Sequence, residues 1–156
     1  MAVLIRNSQR LKKIDRKRIA SVAGELLVSL KLQDRDLSIL FVDDRKIAVM
    51  NREFFGKDRP TNVISFSYLD GMPGEALGDI IISVERAAGE ASEAGIPFYE
   101  RLFSLIVHGI VHILGYDHVK GGPGARKMRY REKKLMGLVL DDPRFRMLCS
   151  GFPDGE

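Results

Sequence analysis

His108-Gly-Ile-Val-His112-Ile-Leu-Gly115-Tyr-Asp117-His118 is the stretch on which this chain turns, because all three histidines of the sequence lie within it. Histidine is the commonest metal-binding side chain. The residues before the first pair, 102–107, are mostly apolar and predict a buried helix. Two histidines four apart on a helix share a face, with Cβ atoms roughly 6 Å apart. Gly115 follows His112 by three residues and suits the left-handed conformation that ends a helix. The chain can then turn back and bring His118 to the same point in space. The spacing H-x-x-x-H-x-x-G-x-x-H is that of the metzincin zinc site, with one departure. Gly109 stands where a glutamate should follow the first histidine.

Zinc suits neutral imidazole, and three protein ligands leave one tetrahedral position for water, the mark of a catalytic rather than a structural site. Three neutral ligands also leave the metal's double positive charge in place. Such a site acidifies its water and attracts anions, so a phosphodiester is a sensible substrate. Two other readings stay open. The histidines can be unrelated, two packing in a helix and one in a loop. Alternatively the site is structural and needs a fourth ligand, for which Cys149 and Asp117 are the candidates. In a metalloprotease the glutamate is the general base, so the spacing argues for a metal while Gly109 argues against peptide hydrolysis. Asp117 either orients a histidine, acts on water, or is a turn residue bonded to local backbone.

At 156 residues the chain reads as a single domain, 1–156, without internal repeat, low-complexity segment or separating linker. Its net charge of +4 is a mild excess, compatible with an anionic partner but not diagnostic of one. A single cysteine, Cys149, excludes an internal disulfide framework and fits a reducing compartment. Residues 1–6 are too short for a signal peptide before the polar run begins, and no apolar run reaches the ~18 residues of a membrane span. The expectation is a cytoplasmic protein without a membrane partner.

Working outward, Val3–Ile5 predicts a strand, and Asp15 caps a helix carrying Ile19, Val22, Ala23, Leu26, Leu27 and Leu30. Leu37–Val42 is a second strand. Asp43-Asp44 caps a helix with Ile47, Ala48, Met50 and Phe54 inward, ended by Gly56. Val63–Tyr68 and Gly78–Ser83 are strands separated by a breaker-rich loop over 70–74. A helix over 84–94 precedes the histidine helix. A flexible connection at 121–124 leads to a last helix from Ala125 to about Leu138, with Met128, Leu135 and Leu138 inward. The sum is an α+β fold: a small mixed sheet of about four strands packed with about five helices, and a zincin-like metal site on a central helix.

The histidine stretch resembles the signature H-G-x-x-H-L-x-G-Y-D-H of the YbeY family of bacterial endoribonucleases, also called rRNA maturation factors. Asn51-Arg-Glu-Phe-Phe-Gly-Lys-Asp-Arg-Pro-Thr-Asn-Val-Ile-Ser-Phe66 is similar to that family's N-x-x-[FY]-R-G-K-D-x-P-T-[DN]-V-L-S-F, and Leu77-Gly-Asp-Ile-Ile-Ile-Ser83 to its L-G-D-I-x-I-S. The blocks lie in the family's order and span nearly the whole chain. The resemblance implies an α+β fold with one zinc ion per chain held by His108, His112 and His118. It implies cleavage of single-stranded RNA in ribosomal RNA processing, notably at the 3′ end of the small-subunit RNA, and a part in ribosome quality control with the small ribosomal subunit as partner. Phe55 departs from the family, which usually has an arginine there for the RNA backbone; Lys57 and Arg59 are the neighbouring substitutes. Ser67 replaces a common proline.

Cations near the metal are needed to place phosphates, and Lys57 and Arg59 rank first as RNA-binding residues. Dense basic runs at Arg10–Arg18 and Lys127–Lys134 read first as solvated faces. Phe54 and Phe55 read as core residues before they read as base-stacking ones, Tyr116 is a further stacking candidate, and Asp79 is placed either near the cleft or at a turn. Three functions follow. The first is a zinc-dependent endoribonuclease in which His108, His112, His118 and Asp117 carry the chemistry. The second is a non-catalytic, metal-stabilised ribosome maturation or RNA-binding factor. The third is a metal-dependent hydrolase of another substrate. Zinc versus nickel in the cell, and oligomeric state, are left open.

Overall fold

In the computed structural model, residues 3–69, 76–115 and 123–150 are described. The elements in chain order are β1 (Val3–Asn7), α1 (Arg16–Ser29), β2 (Asp36–Val42), α2 (Asp44–Phe55), β3 (Val63–Ser67), β4 (Ala76–Ser83), α3 (Val84–Ala94), α4 (Phe98–Ile113), α5 (Pro123–Asp141) and α6 (Pro143–Ser150). The sheet runs β1-β2-β4-β3. β1, β2 and β4 are parallel, and β3 lies antiparallel to β4 at the edge. The expected α+β class and mixed four-stranded sheet are present.

Alternation along the strands divides the apolar side chains between two faces. Leu37, Ile39, Phe41, Ile80 and Ile82 join the large core made with α1, α3, α4, α5 and α6. Val42, Ile64 and Ile81 point the other way and meet Ile47 of α2, with Leu40, Met50 and Phe66 around them. At 0% exposure for Leu102, Phe103, Ile106, Val107 and Ile110, α4 is the element packed most deeply against the sheet.

Two glycines allow that approach. A Cβ on Gly109 would lie 2.8 Å from Cδ1 of Ile80, and one on Gly78 would lie 2.4 Å from the carbonyl oxygen of Phe66 and 2.7 Å from Cδ1 of Ile113. Each marks a point where only glycine lets helix and strand come this close. The phase that turns Gly78 toward α4 is set by a register shift: Asp36 pairs with Ala76 but Leu37 with Gly78, so Leu77 is a bulged residue.

The helix ends follow from their caps. Asp15, Asp43 and Ser83 each accept a hydrogen bond from the backbone N–H three residues on. Gly56 and Gly95 end α2 and α3 in the left-handed conformation, both at φ 69°. Asp44, read as a cap, is instead the first helical residue; its carboxylate accepts from Ser83 Oγ at 2.6 Å and from both ends of the Arg86 fork at 3.3 and 3.1 Å.

Four expectations need correction. A sixth helix, α6, follows Asp142, whose carboxylate accepts from Arg144 N–H at 2.9 Å. Only Phe145 and Leu148 are buried in its eight residues, too short a pattern to register as periodicity. α5 begins at Pro123, inside the stretch read as a connection, which fits proline's preference for the first helical position. Within α5, Met128 and Leu135 are buried as expected, but Val139 is the third inward residue and Leu138 is 46% exposed. Three turns of 3.6 residues from Met128 fall on 139, not 138. Phe54 is likewise 55% exposed, its ring meeting Phe66 of β3 edge-on at the surface rather than entering the core.

Candidate active site

His108 and His112 lie one turn apart on α4, with ring centroids 5.1 Å apart and planes crossing at 66°. Their stripe of the helix is half-buried, while Val107, Gly109, Ile110 and Val111 are fully covered. The helix ends as its sequence predicts: Gly115 adopts φ 90° and its N–H donates to the His112 carbonyl at 2.9 Å. Ser67 Oγ of β3 donates to the Ile113 carbonyl at 2.9 Å, tying the end of α4 to the edge strand. His118, Asp117 and Tyr116 lie outside the described residues.

Both histidine rings open into one cleft of about 440 Å³, lined also by Asn51, Phe55, Lys57, Thr61 and Ser65. The far wall is the loop after α2. Asn51, buried at the end of that helix, donates from Nδ2 to the Arg59 carbonyl at 2.9 Å and so pins the loop. Lys57 is thereby held on the cleft. Arg59 serves the loop through its backbone, its N–H donating to the Lys57 carbonyl at 3.0 Å, and it does not line the cleft.

On the other side, His108 borders a second depression of about 450 Å³ that includes Arg101, Arg129, Glu132 and Lys133. Glu132 of α5 meets Nδ1 of His108 in a short hydrogen bond. A carboxylate there favours the tautomer with the proton on Nδ1, leaving Nε2 as the lone-pair nitrogen. Sequence reasoning missed Glu132, although it is the single acid in the basic stretch 126–134. Arg129 and Lys133 were read as members of a solvated face, and the structure brings them beside His108. Arg101 is held by Glu90 at 3.0 Å.

Gly109 faces the sheet. A side chain there would run into Ile80, so this position has no line to the cleft, and its residue type is set by packing. Asp79 is also away from the histidines: it points to the other face of β4, where it accepts from the Tyr68 hydroxyl at 2.5 Å and lines a separate cavity with Arg6, Ser38 and Phe66. That bond, with burial and the Asp79 charge behind it, holds the Tyr68 phenol above its ordinary pKa. Cys149, a candidate fourth ligand, sits on α6. Burial and then the charge of Glu100 push its thiol pKa up. Glu100 is in the first turn of α4, and at 1.5 Å rise per residue it lies about 18 Å from His112 along the axis.

Among the described residues no group of three or more histidine, cysteine, aspartate or glutamate side chains has metal-holding geometry. Two imidazoles on one helix face, one of them oriented by a carboxylate, nevertheless suit zinc as donors and second-sphere support. None of the described helices is long and apolar enough to cross a membrane.

A family model described as Endoribonuclease YbeY matches residues 4–139. Similar curated proteins include Endoribonuclease YbeY of Geobacter sulfurreducens, 44% identical over 89% of this chain and 96% of that protein. The protein of the same name from Petrotoga mobilis is 37% identical over 92% of this chain and 99% of its own length. A solution structure of a Thermotoga maritima protein superposes with a TM-score of 0.66 over 99% of both chains at 23% identity, a likeness of fold.

Proposed function

Because this chain belongs to the endoribonuclease YbeY family, we propose that it cleaves single-stranded RNA at the cleft between α4 and the loop after α2, using one zinc ion held by His108, His112 and His118. The observation that carries the reading is the shared opening of both described histidines into a cleft that also holds Lys57. A cation beside two imidazoles suits a phosphodiester better than a neutral peptide.

The residues divide the work as follows. Glu132 fixes the ring of His108 so that Nε2 serves the cleft. Lys57 in the cleft, and Arg129 and Lys133 in the depression on the other side of His108, attract and place the phosphates of the strand. A bound zinc ion supplies Lewis acidity toward a phosphoryl oxygen and a lowered pKa for water. Asp117 is the candidate proton carrier beside His118. The role extends this cleavage to ribosomal RNA, at the small-subunit 3′ end and in quality control on the small ribosomal subunit.

The test is cleavage of a labelled single-stranded RNA by wild type and His108→Ala purified identically, with metal analysis of both. Cleavage by wild type alone, with about one zinc per chain that His112→Ala loses, is the expected result. Equal cleavage by both proteins overturns the reading. Absence of cleavage by either, with firm binding to the small subunit, favours the non-catalytic maturation factor.

A further inference from the structure

We propose that Phe55 is a base-stacking residue, whose exposed ring takes a base of the single-stranded RNA held at His108 and His112. The proposal rests on the RNA reading of the cleft given above. Phe55 is the last residue of α2 and its side chain lines the cleft together with both histidines and Lys57. It is 50% exposed, so it is not the core residue its apolar character suggests. The apolar cluster beneath α2, built on Val42, Ile47, Ile64 and Ile81 with Leu40, Met50 and Phe66, is assembled without it.

The ring is nevertheless braced. It lies nearly parallel to Phe66 of β3, at 8° with centroids 6.0 Å apart. Phe54 meets the same Phe66 edge-on at 5.1 Å and 69°. One aromatic ring of the sheet therefore backs two half-exposed rings of α2. A pre-oriented aromatic surface beside a cationic group is the arrangement that binds single strands: the bases stack while the phosphates meet the charge. Here Lys57, two residues on, is the charge, and the left-handed turn at Gly56 places it on the same cleft as the ring.

A stacking contact and a phosphate contact differ in two observables. Stacking favours the larger purine ring and is nearly independent of salt, whereas each phosphate contact steepens the salt dependence by about 0.7 for a single strand. The experiment is equilibrium binding of oligoadenylate and oligouridylate of equal length to the protein as purified, on ice with the oligonucleotide confirmed intact on a gel, over a series of KCl concentrations. Wild type, Phe55→Ala, Phe55→Tyr and Phe55→Arg are compared. Wild type should favour oligoadenylate. Phe55→Ala should lose that preference and about five- to a hundredfold of its oligoadenylate affinity, at unchanged salt slope. Phe55→Tyr should keep both, and Phe55→Arg should bind with a slope steeper by about 0.7.

Equal losses on both oligonucleotides, or no loss, in a Phe55→Ala protein that melts as wild type does would overturn the stacking role. A reduced salt slope in that variant would overturn it too. Wild type that cleaves and binds RNA while Phe55→Ala is unchanged removes only this inference. Wild type that binds neither oligonucleotide and cleaves no RNA removes the RNA reading itself.

Discussion

Glu132 of α5 holds Nδ1 of His108 of α4, across 24 residues of sequence. Sequence spacing places the histidines on one helical face, but it does not decide which ring nitrogen serves the cleft. That decision comes from the carboxylate of another helix. The metzincin-like spacing without its glutamate is therefore not a site without a carboxylate. Its acid arrives on α5, in an orienting position, while the helix position after the first histidine is given over to contact with Ile80.

Glu132→Gln is expected to weaken zinc about ten- to a hundredfold, the usual cost of removing a histidine's outer-sphere partner. Competition with a chromophoric chelator measures it directly. His108 and Glu132 side chains are 36% and 26% exposed, so the fold should survive the change. Unaltered zinc affinity in a folded variant would show that Glu132 does not position the ligand.

Gly78→Ala and Gly109→Ala should both destabilise the protein, Gly78→Ala more. At Gly109 the clash is with the side chain of Ile80, which can rotate in part, and overpacking of this kind costs about 1–3 kcal/mol. At Gly78 the nearest atom is the backbone oxygen of Phe66, which cannot move without breaking into the β3–β4 pair. Urea unfolding of the two variants gives the order; the reverse order would contradict this account of how α4 meets the sheet.

Arg129→Ala and Lys133→Ala should each lower the slope of log affinity against log salt for single-stranded RNA by about 0.7. Lys17→Ala should leave it unchanged. Lys17 stands on α1 beside Ile5 of β1, the edge of the sheet opposite β3, roughly 14 Å away at ~4.8 Å per strand. An equal effect from Lys17 would place the RNA path elsewhere.

Asp142 caps α6 and is bound by the Arg144 fork at 3.0 and 2.8 Å, which holds its carboxyl below the ordinary 3.8. The folded protein thus releases this proton more readily than the unfolded chain. The contribution is complete above the ordinary carboxylate range and is lost as pH falls through the lowered folded value. Asp142→Asn keeps an oxygen for the cap but loses the charge that holds the half-exposed Arg144 fork, and should cost roughly 0.5–1 kcal/mol near neutral pH. Thermal melts of the pair should converge as pH falls below 4; a gap that stays constant would contradict this linkage.

The sequence by itself determined the local features of this protein. The caps Asp15 and Asp43, the stops at Gly56 and Gly115, the strand alternation and the shared face of His108 and His112 all depend on residues within a turn or two of one another, so spacing alone reveals them. Only the tertiary structure decided what meets across elements. The short α6 carries too few apolar positions to be seen, and the choice of Val139 over Leu138 depends on how α5 rolls against its neighbours. Asp79 faces away from the histidines because strand pleat and the bulge at Leu77 set its side, and Phe55 lies against Phe66 at the cleft, outside the cluster beneath α2. Glu132 reaches His108 because two glycines let α4 lie close on β4, which leaves its histidine stripe turned toward α5. Contacts of that kind are fixed by packing between segments distant in sequence, and no local pattern encodes them.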